Sequence, residues 1–551
     1  MNITVNGIPV CLEQGQTIHD AVVKLGLESK SLRKRPLAAQ IGGEVYSLRY
    51  APRYDSEIRL LRYSEDLGRR VYERSLQFIL ILSIRKLFPG ARVIARYSLG
   101  PGVYFTVEKM PELSPEDVDL IEKECRRIVD ADIPLIRRRL DIDTAIDFFT
   151  RDGQHDKAKL LRWRKFSYFD VYQADDYMDY FYGEMAPSTG YCKVFHLKYL
   201  KNALVMLMPC DDDPDRAAVY KRQPKLAAVL RQSDDWGKLM TCSTVYELNE
   251  RVKNGSIREL IRVNEALHEK TYAELADNIV RKKSRAVMVA GPSSSGKTTS
   301  ANRIATQLRV LGQDPVMLSL DDYYIDRDKL PVGENGQVDL EHIDTLDISR
   351  FNRDLESLVN GCQTEVPVFD FSTGKRSPNG RLLKLSRDQQ LIIEGIHGLN
   401  KRMISPDIPP ELIYRVYVSA LTTLNLDDHN RIRTTDVRLL RRLVRDFRTR
   451  NASMEATLSM WPSVRRGEWT WIFPFQEEAD SWFNTTLVYE LAVLKKYVYP
   501  LLLTVPKESQ YYINAHIIVK FLNYILDADV EDEIPPTSIL REFIGGNTFY
   551  K

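Results

Sequence analysis

Gly291, Gly296, Lys297 and Thr298 stand at the spacing GxxxxGK[ST] within "GPSSSGKTT". Glycines at those positions let backbone N–H groups turn inward around phosphates, and a helix that starts there adds a favourable field for anions. The segment Gly291, Pro292, Ser293, Ser294, Ser295, Gly296, Lys297, Thr298 and Thr299 is therefore a candidate triphosphate cradle. Lys297 is the residue to reach the β- and γ-phosphates, and the Thr298 hydroxyl is a ligand for Mg²⁺. Asp321 and Asp322 end the apolar run "PVMLSL". A carboxylate there can accept a proton from an attacking hydroxyl or hold the metal's water shell. Glu394 follows the apolar run in "QQLIIEGIHG", the position of an acid that binds Mg²⁺ directly or through water. His397, just beyond, is assigned no role. Arg438, Arg441, Arg442, Arg445 and Arg448 recur at spacings of three and four, one face of a helix. That face reads as a solvated surface, as a lid that closes on the triphosphate, or as a nucleic-acid surface.

These groups need a sheet edge to gather on. From Arg285 onward, short apolar runs alternate with helical stretches, the pattern of a parallel α/β sheet. "AVMVA" precedes the glycine loop as a strand and "TTSANRIATQLRVL" follows it as a helix. Right-handed crossovers bring the carboxyl ends of parallel strands to one edge, where ligands bind. Upstream, residues 1–62 read as a small α+β unit, with Asn6-Gly7 as a hairpin turn and Thr17 as a helix N-cap. Residues 63–205 mix helical and strand-like pieces. Residues 206–284 form a mainly helical linker, with Ser256 and Glu259 at capping-box spacing. The parallel α/β stretch runs over 285–506, and 507–551 is a helical extension.

The chain has 551 residues, enough for three or four domains. Its 78 Lys plus Arg against 76 Asp plus Glu impose no nucleic-acid or membrane partner. The six cysteines form no CxxC pair, so neither a disulfide framework nor a zinc knuckle is expected. The start shows no signal peptide, and the longest apolar run, near "FILILSIRKLF", is too short to span a bilayer. A cytoplasmic protein is the expectation.

"GPSSSGKTT", "LSLDDYY", "VPVFDF", "IIEGIHG" and "RRLVRD" together resemble the uridine kinase and phosphoribulokinase family, in the family's order. The resemblance implies a P-loop kinase domain that uses ATP and Mg²⁺ to phosphorylate the 5′-hydroxyl of a ribonucleoside. It puts the catalytic base on Asp321, a substrate-contacting tyrosine on Tyr324, and the metal-linked glutamate on Glu394. Lid arginines fall on Arg442, Arg445 and Arg450, with Arg445 and Arg450 toward ATP and Arg442 toward the substrate. The ribose-binding segment maps to Glu341 and His342, and the base-reading aromatic position to Phe369. Glu341 replaces an aspartate of animal-type members, Phe369 replaces their tyrosine, and their base-reading histidine aligns near Gly374.

The first 205 or so residues resemble the N-terminal half of threonyl-tRNA synthetase. Residues 1–62 are similar to its β-grasp TGS domain. "YERSLQFILILSIRKLFPGARVIARYSLGPGVYFTVE" is similar to the start of its α+β editing domain. The four metal-liganding positions of that domain fall on Arg74, Phe78, Ala186 and Gly190, so that chemistry is expected to be lost. Three readings follow: a nucleoside kinase, a kinase of another small hydroxyl compound, and an RNA-binding protein with an ATPase switch. Basic-aromatic stretches such as "LLRWRKFSYFD" and "SLRKRPL" are the RNA candidates. The partners expected are a small nucleoside, RNA at the N-terminal region under the third reading, and a second copy in a homo-oligomer, with no membrane.

Overall fold

The computed structural model describes residues 1–164, 166–330 and 339–549. Lys165 of the basic-aromatic stretch lies outside the described residues.

At the N-terminus, Asn2–Val5 and Ile8–Cys11 pair as a hairpin about Asn6 (φ 49°) and Gly7 (φ 83°). Both turn residues are left-handed, as the tightest hairpin turns require. The hairpin's first strand pairs in parallel with Glu57–Arg62, and Pro36–Ile41 and Glu44–Tyr46 complete a five-stranded sheet. The helix Ile18–Lys24 crosses it, opened by a capping box between Thr17 and Asp20. This is a β-grasp arrangement. Two antiparallel sheets follow. One has four strands, Arg92–Leu99, Gly102–Glu108, Ala203–Leu207 and His196–Leu200, with the helices Asp66–Leu87 and Pro115–Asp130. The other has three, Ile136–Asp141, Tyr168–Ala174 and Tyr177–Asp179.

The C-terminal sheet contains β1 (Ala286–Ala290), β2 (Val316–Ser319), β3 (Leu391–Glu394), β4 (Ile413–Ser419) and β5 (Ser481–Asn484). The spatial order is β2-β3-β1-β4-β5, and every pair is parallel. Continuous apolar runs form these strands because both faces are covered. Ala286, Met288 and Ile393 pack on Phe351, Leu355 and Leu358 of the helix Ile348–Val359. Val287, Val289 and Ile392 face Ala301, Ile304 and Leu308 of α1 (Lys297–Val310), together with Tyr272, Leu275 and Ile279. The last three belong to the helix Ile257–Lys282. That helix, expected between the modules, thus covers one face of the sheet. It does not start with the expected capping box: Ser256 has helical backbone (φ −70°, ψ −1°), so its hydroxyl makes no cap.

The units share cores. Phe149, Phe169, Val171 and Tyr180 pack in one cluster with Leu440, Leu443 and Val493 of the C-terminal half. Arg70 and Glu73 on the helix Asp66–Leu87 pair with Asp436 and with Arg431 and Arg433. No described helix is long and apolar enough to cross a membrane.

Candidate active site

The loop between β1 and α1 cannot carry side chains at its glycines. A Cβ on Gly291 would lie 1.9 Å from the Val418 carbonyl oxygen, and Gly296 (φ +86°) is left-handed and close to Ile539. The loop is held from outside. Thr485 Oγ1 donates to the Ser295 carbonyl (2.6 Å), Arg438 Nε to the Ser293 carbonyl (2.9 Å), and Arg442 Nη1 to Ser293 Oγ (2.9 Å). Arg438, Arg441 and Arg442 project from α2 (Thr434–Arg450), and all three are buried. Arg438 pairs with Glu468, and Arg441 Nε with Glu490 at 2.6 Å. The solvated reading therefore fails for these three, because buried guanidinium groups need acceptors and these find loop carbonyls, a serine hydroxyl and carboxylates, whereas Arg448 on the same face is exposed. The Ser294 and Ser295 hydroxyls are buried without partners, an arrangement that suits an anion in the loop.

Lys297 donates to the Pro292 carbonyl (3.2 Å). Burial lowers its pKa, while the charges of Glu394, Asp321 and Glu542 oppose that shift. Glu394, at the end of β3, accepts from Thr298 Oγ1 (3.4 Å) and Ser319 Oγ (2.9 Å). Burial and then the charge of Asp321 push its carboxyl up to about 7. Asp321 lies in the turn Leu320–Tyr323 after β2, and its N–H donates to Ser319 Oγ (3.2 Å). Burial raises its pKa, with Asp322 adding to the rise and Lys297, Arg450 and Arg445 opposing it. Lys297, Asp321 and Glu394 thus share one field. Thr298 and Glu394 offer two adjacent hard oxygen donors. Among the described residues no cluster of three or more His, Cys, Asp or Glu could hold an ion alone. Such a sparse donor set suits Mg²⁺, which keeps waters and phosphate oxygens as its other ligands.

Among the residues that the resemblance assigns to substrate, the Tyr324 ring lies 5.7 Å from Phe369 and 6.1 Å from Phe371, and its hydroxyl donates to the Leu340 carbonyl. Arg376 fixes this segment by donating to the Tyr323 and Tyr324 carbonyls and pairing with Asp347. Burial pushes Glu341 up to about 7 against the pull of Arg442, and its Oε2 is buried without a partner. His342 stands further out, its ring 4.5 Å from Trp471 and its Nδ1 accepting from the Asp344 N–H. Arg442, Arg445 and Arg450 gather on Asp446. Arg445 and Arg450 face Asp321, whereas Arg442 also grips the phosphate loop.

Two groups, Ser319 and Glu542, escape sequence reasoning. Ser319 orients both Glu394 and Asp321, yet a serine before an acid carries no signal. His397, to which the sequence reading gives no role, is buried, and burial pushes it down to about 3. Glu542 reaches Thr299 across 243 residues of chain.

In the N-terminal region, Phe78 is fully buried and Arg74 Nε donates to the Glu184 carbonyl (3.0 Å). Gly190 is packed so tightly on Asp132 that a Cβ would lie 2.2 Å from its carboxylate. Burial lowers the Arg74 guanidinium to about 10.

A parallel sheet in this order, with a glycine-rich loop running into α1 and acids at the ends of β2 and β3, defines a P-loop domain of the kinase type. Residues 286–489 match the model of the Phosphoribulokinase / Uridine kinase family. The N-terminal region matches threonine–tRNA ligases: that of Symbiobacterium thermophilum is 30% identical over 185 residues, covering 33% of this chain and 28% of the ligase. The ligase of Desulforamulus reducens is 27% identical over 202 residues, 36% of this chain and 32% of its own. The chain thus spans about a third or less of those relatives. Among solved structures, it aligns with a protein described as a possible uridine kinase from Bacillus stearothermophilus. That alignment has a TM-score of 0.27 and 21% identity, and covers 39% of this chain and 98% of the other. The D-glycerate 3-kinase of Cryptococcus neoformans aligns with a TM-score of 0.23 and 14% identity over 51% of this chain and 91% of the other.

Proposed function

We propose that this chain transfers the γ-phosphoryl group of Mg·ATP to a hydroxyl of a small molecule, with the 5′-hydroxyl of a ribonucleoside as acceptor. The observation that carries the reading is the meeting of Lys297, Asp321 and Glu394 beside the Thr298 hydroxyl. Loop N–H groups and Lys297 hold the phosphates in line. Thr298 and Glu394 would hold Mg²⁺, which would supply charge neutralisation on the phosphate oxygens. Asp321 takes the proton from the attacking hydroxyl, which its raised pKa favours once the hydroxyl acidifies in the transition state. Arg445 and Arg450 stabilise the charge that spreads over the transferring group. The aromatic group of Tyr324, Phe369 and Phe371 supports a flat or sugar-ring acceptor. Glu341, held near neutrality, can donate or accept at a ribose hydroxyl, while Phe369 offers no hydrogen bond to a base edge. The base is thus selected by shape and stacking rather than by paired polar groups. His342 orients the loop that carries Glu341. The protein works in the cytoplasm on this reading.

The test is a panel of nucleosides and phosphorylated sugars, assayed for acceptor-dependent ADP release. Release stimulated by a ribonucleoside, with its 5′-monophosphate as product, bears the reading out. Stimulation by a phosphorylated sugar alone moves the acceptor class, and no stimulation by any small alcohol refutes transfer. The synthetase likeness supports a narrower second reading, RNA contact through the N-terminal region. tRNA binding that weakens steeply with salt would support it, and ATP turnover stimulated by tRNA in place of a small alcohol would replace the first reading.

A further inference from the structure

The C-terminal segment returns to the phosphate loop. Arg258 and Arg262 of the long helix pair with Asp532 and Glu533, Ser538 Oγ donates to Glu265 Oε1 (2.6 Å), and Ile539, Leu540, Phe543 and Ile544 are buried. Ile539 packs against Gly296, and Phe543 lies under the Arg441 guanidinium. This anchoring delivers Glu542 to the N-terminus of α1. Its Oε2 accepts from the Thr299 N–H (3.3 Å) and from Thr299 Oγ1 (2.7 Å).

Thr299 is the third residue of α1, and its N–H is one of those that a helix leaves open for an anion. In a P-loop the anion is a phosphate of the nucleotide. Here a carboxylate of the same chain already sits there. Two buried acids near the loop pair with arginines: Glu468 with Arg438, and Glu490 with Arg441. Among the described residues Glu542 has no ion-pair partner of that kind, and Lys297, which feels its charge, donates to the Pro292 carbonyl. Its charge instead adds to the negative field that Glu394 and Lys297 feel. Two left-handed glycines, Gly545 and Gly546, follow directly.

We propose that Glu542 is an internal competitor of nucleotide phosphate: with the C-terminal segment docked, its carboxylate occupies the Thr299 donor and holds the loop in a low-affinity state. The phosphate that binds α1 must displace it, so a partner or condition that lifts residues 541–547 raises nucleotide affinity. The proposal rests on the reading that the loop binds Mg·ATP.

The test is calorimetric titration of the full chain with a non-hydrolysable Mg·ATP analogue, for the wild type, Glu542→Gln, Glu542→Ala and Glu542→Asp. The neutral variants are expected to bind at least about tenfold tighter, the factor that corresponds to one ordinary charge-assisted hydrogen bond lost by the competitor. Glu542→Asp keeps the charge but withdraws it by one methylene, and is expected to fall between them and the wild type. Unchanged or weaker binding in Glu542→Gln and Glu542→Ala, with the wild type binding, overturns the proposal and leaves the nucleotide reading standing. Absence of binding in all four overturns the nucleotide reading, and the proposal with it.

Discussion

On the proposed reading, replacing Asp321 by Asn removes the general base while keeping its shape. The carboxylate lies at the end of β2 in the field of Lys297, Arg450 and Arg445. A positioned general base contributes about 10²–10⁴ in rate. The lower end corresponds to about 2.7 kcal/mol of transition-state stabilisation. Loss of a negative charge among three cations leaves the phosphates better attracted, so ATP binding is not weakened. The expected outcome is a fall in kcat of at least about 100-fold with the KM for ATP unchanged or lower. The assay is acceptor-dependent ADP release at saturating Mg·ATP, with circular dichroism to show that the variant folds. A loss smaller than about tenfold, or a loss carried by the KM for ATP, would refute the assignment of Asp321 as base.

Arg441→Met leaves the Glu490 carboxylate buried without its partner. Denaturant unfolding should show a loss of about 3–5 kcal/mol, largely recovered when Glu490→Leu is added; a loss under about 1 kcal/mol would contradict the buried-pair reading. Glu341 has a folded-state pKa of about 7 against an ordinary 4.5, so the folded protein binds its proton more tightly than the unfolded chain does. That contribution is complete below pH about 4.5 and is lost as pH rises through about 7. Glu341→Gln should therefore gain stability relative to the wild type between pH 5 and 8, by at most about 3 kcal/mol; a gap independent of pH would count against the burial of its charge. Elemental analysis of chain purified with zinc should find none held by the N-terminal region, because Arg74, Phe78, Ala186 and Gly190 offer no ligands. One zinc per chain would refute this.

Legibility followed contiguity. The segment Gly291–Thr299 and its flanking strand and helix were readable because a phosphate cradle is built from consecutive residues. The Asn6-Gly7 turn and the Thr17 cap were readable for the same reason. Ser256 and Glu259 had capping spacing too, but the chain enters that helix already in helical conformation, so the spacing had nothing to cap. The arginine face of α2 showed the limit of periodicity. Spacing placed Arg438, Arg441 and Arg442 on one side, and only packing revealed that this side is buried. The likeness to two unrelated families placed modules along the chain without showing that they share a core.

By itself, the sequence determined that a glycine-rich loop, a lysine and two strand-end acids exist in an order that a parallel sheet can bring to one edge. Local backbone chemistry suffices for that. Only the tertiary structure decided that the Arg438, Arg441 and Arg442 side chains hold this loop or its supports, and that a carboxylate 243 residues away closes its first helical turn. Burial and charge pairing between distant segments depend on which surfaces meet, and no local pattern encodes that.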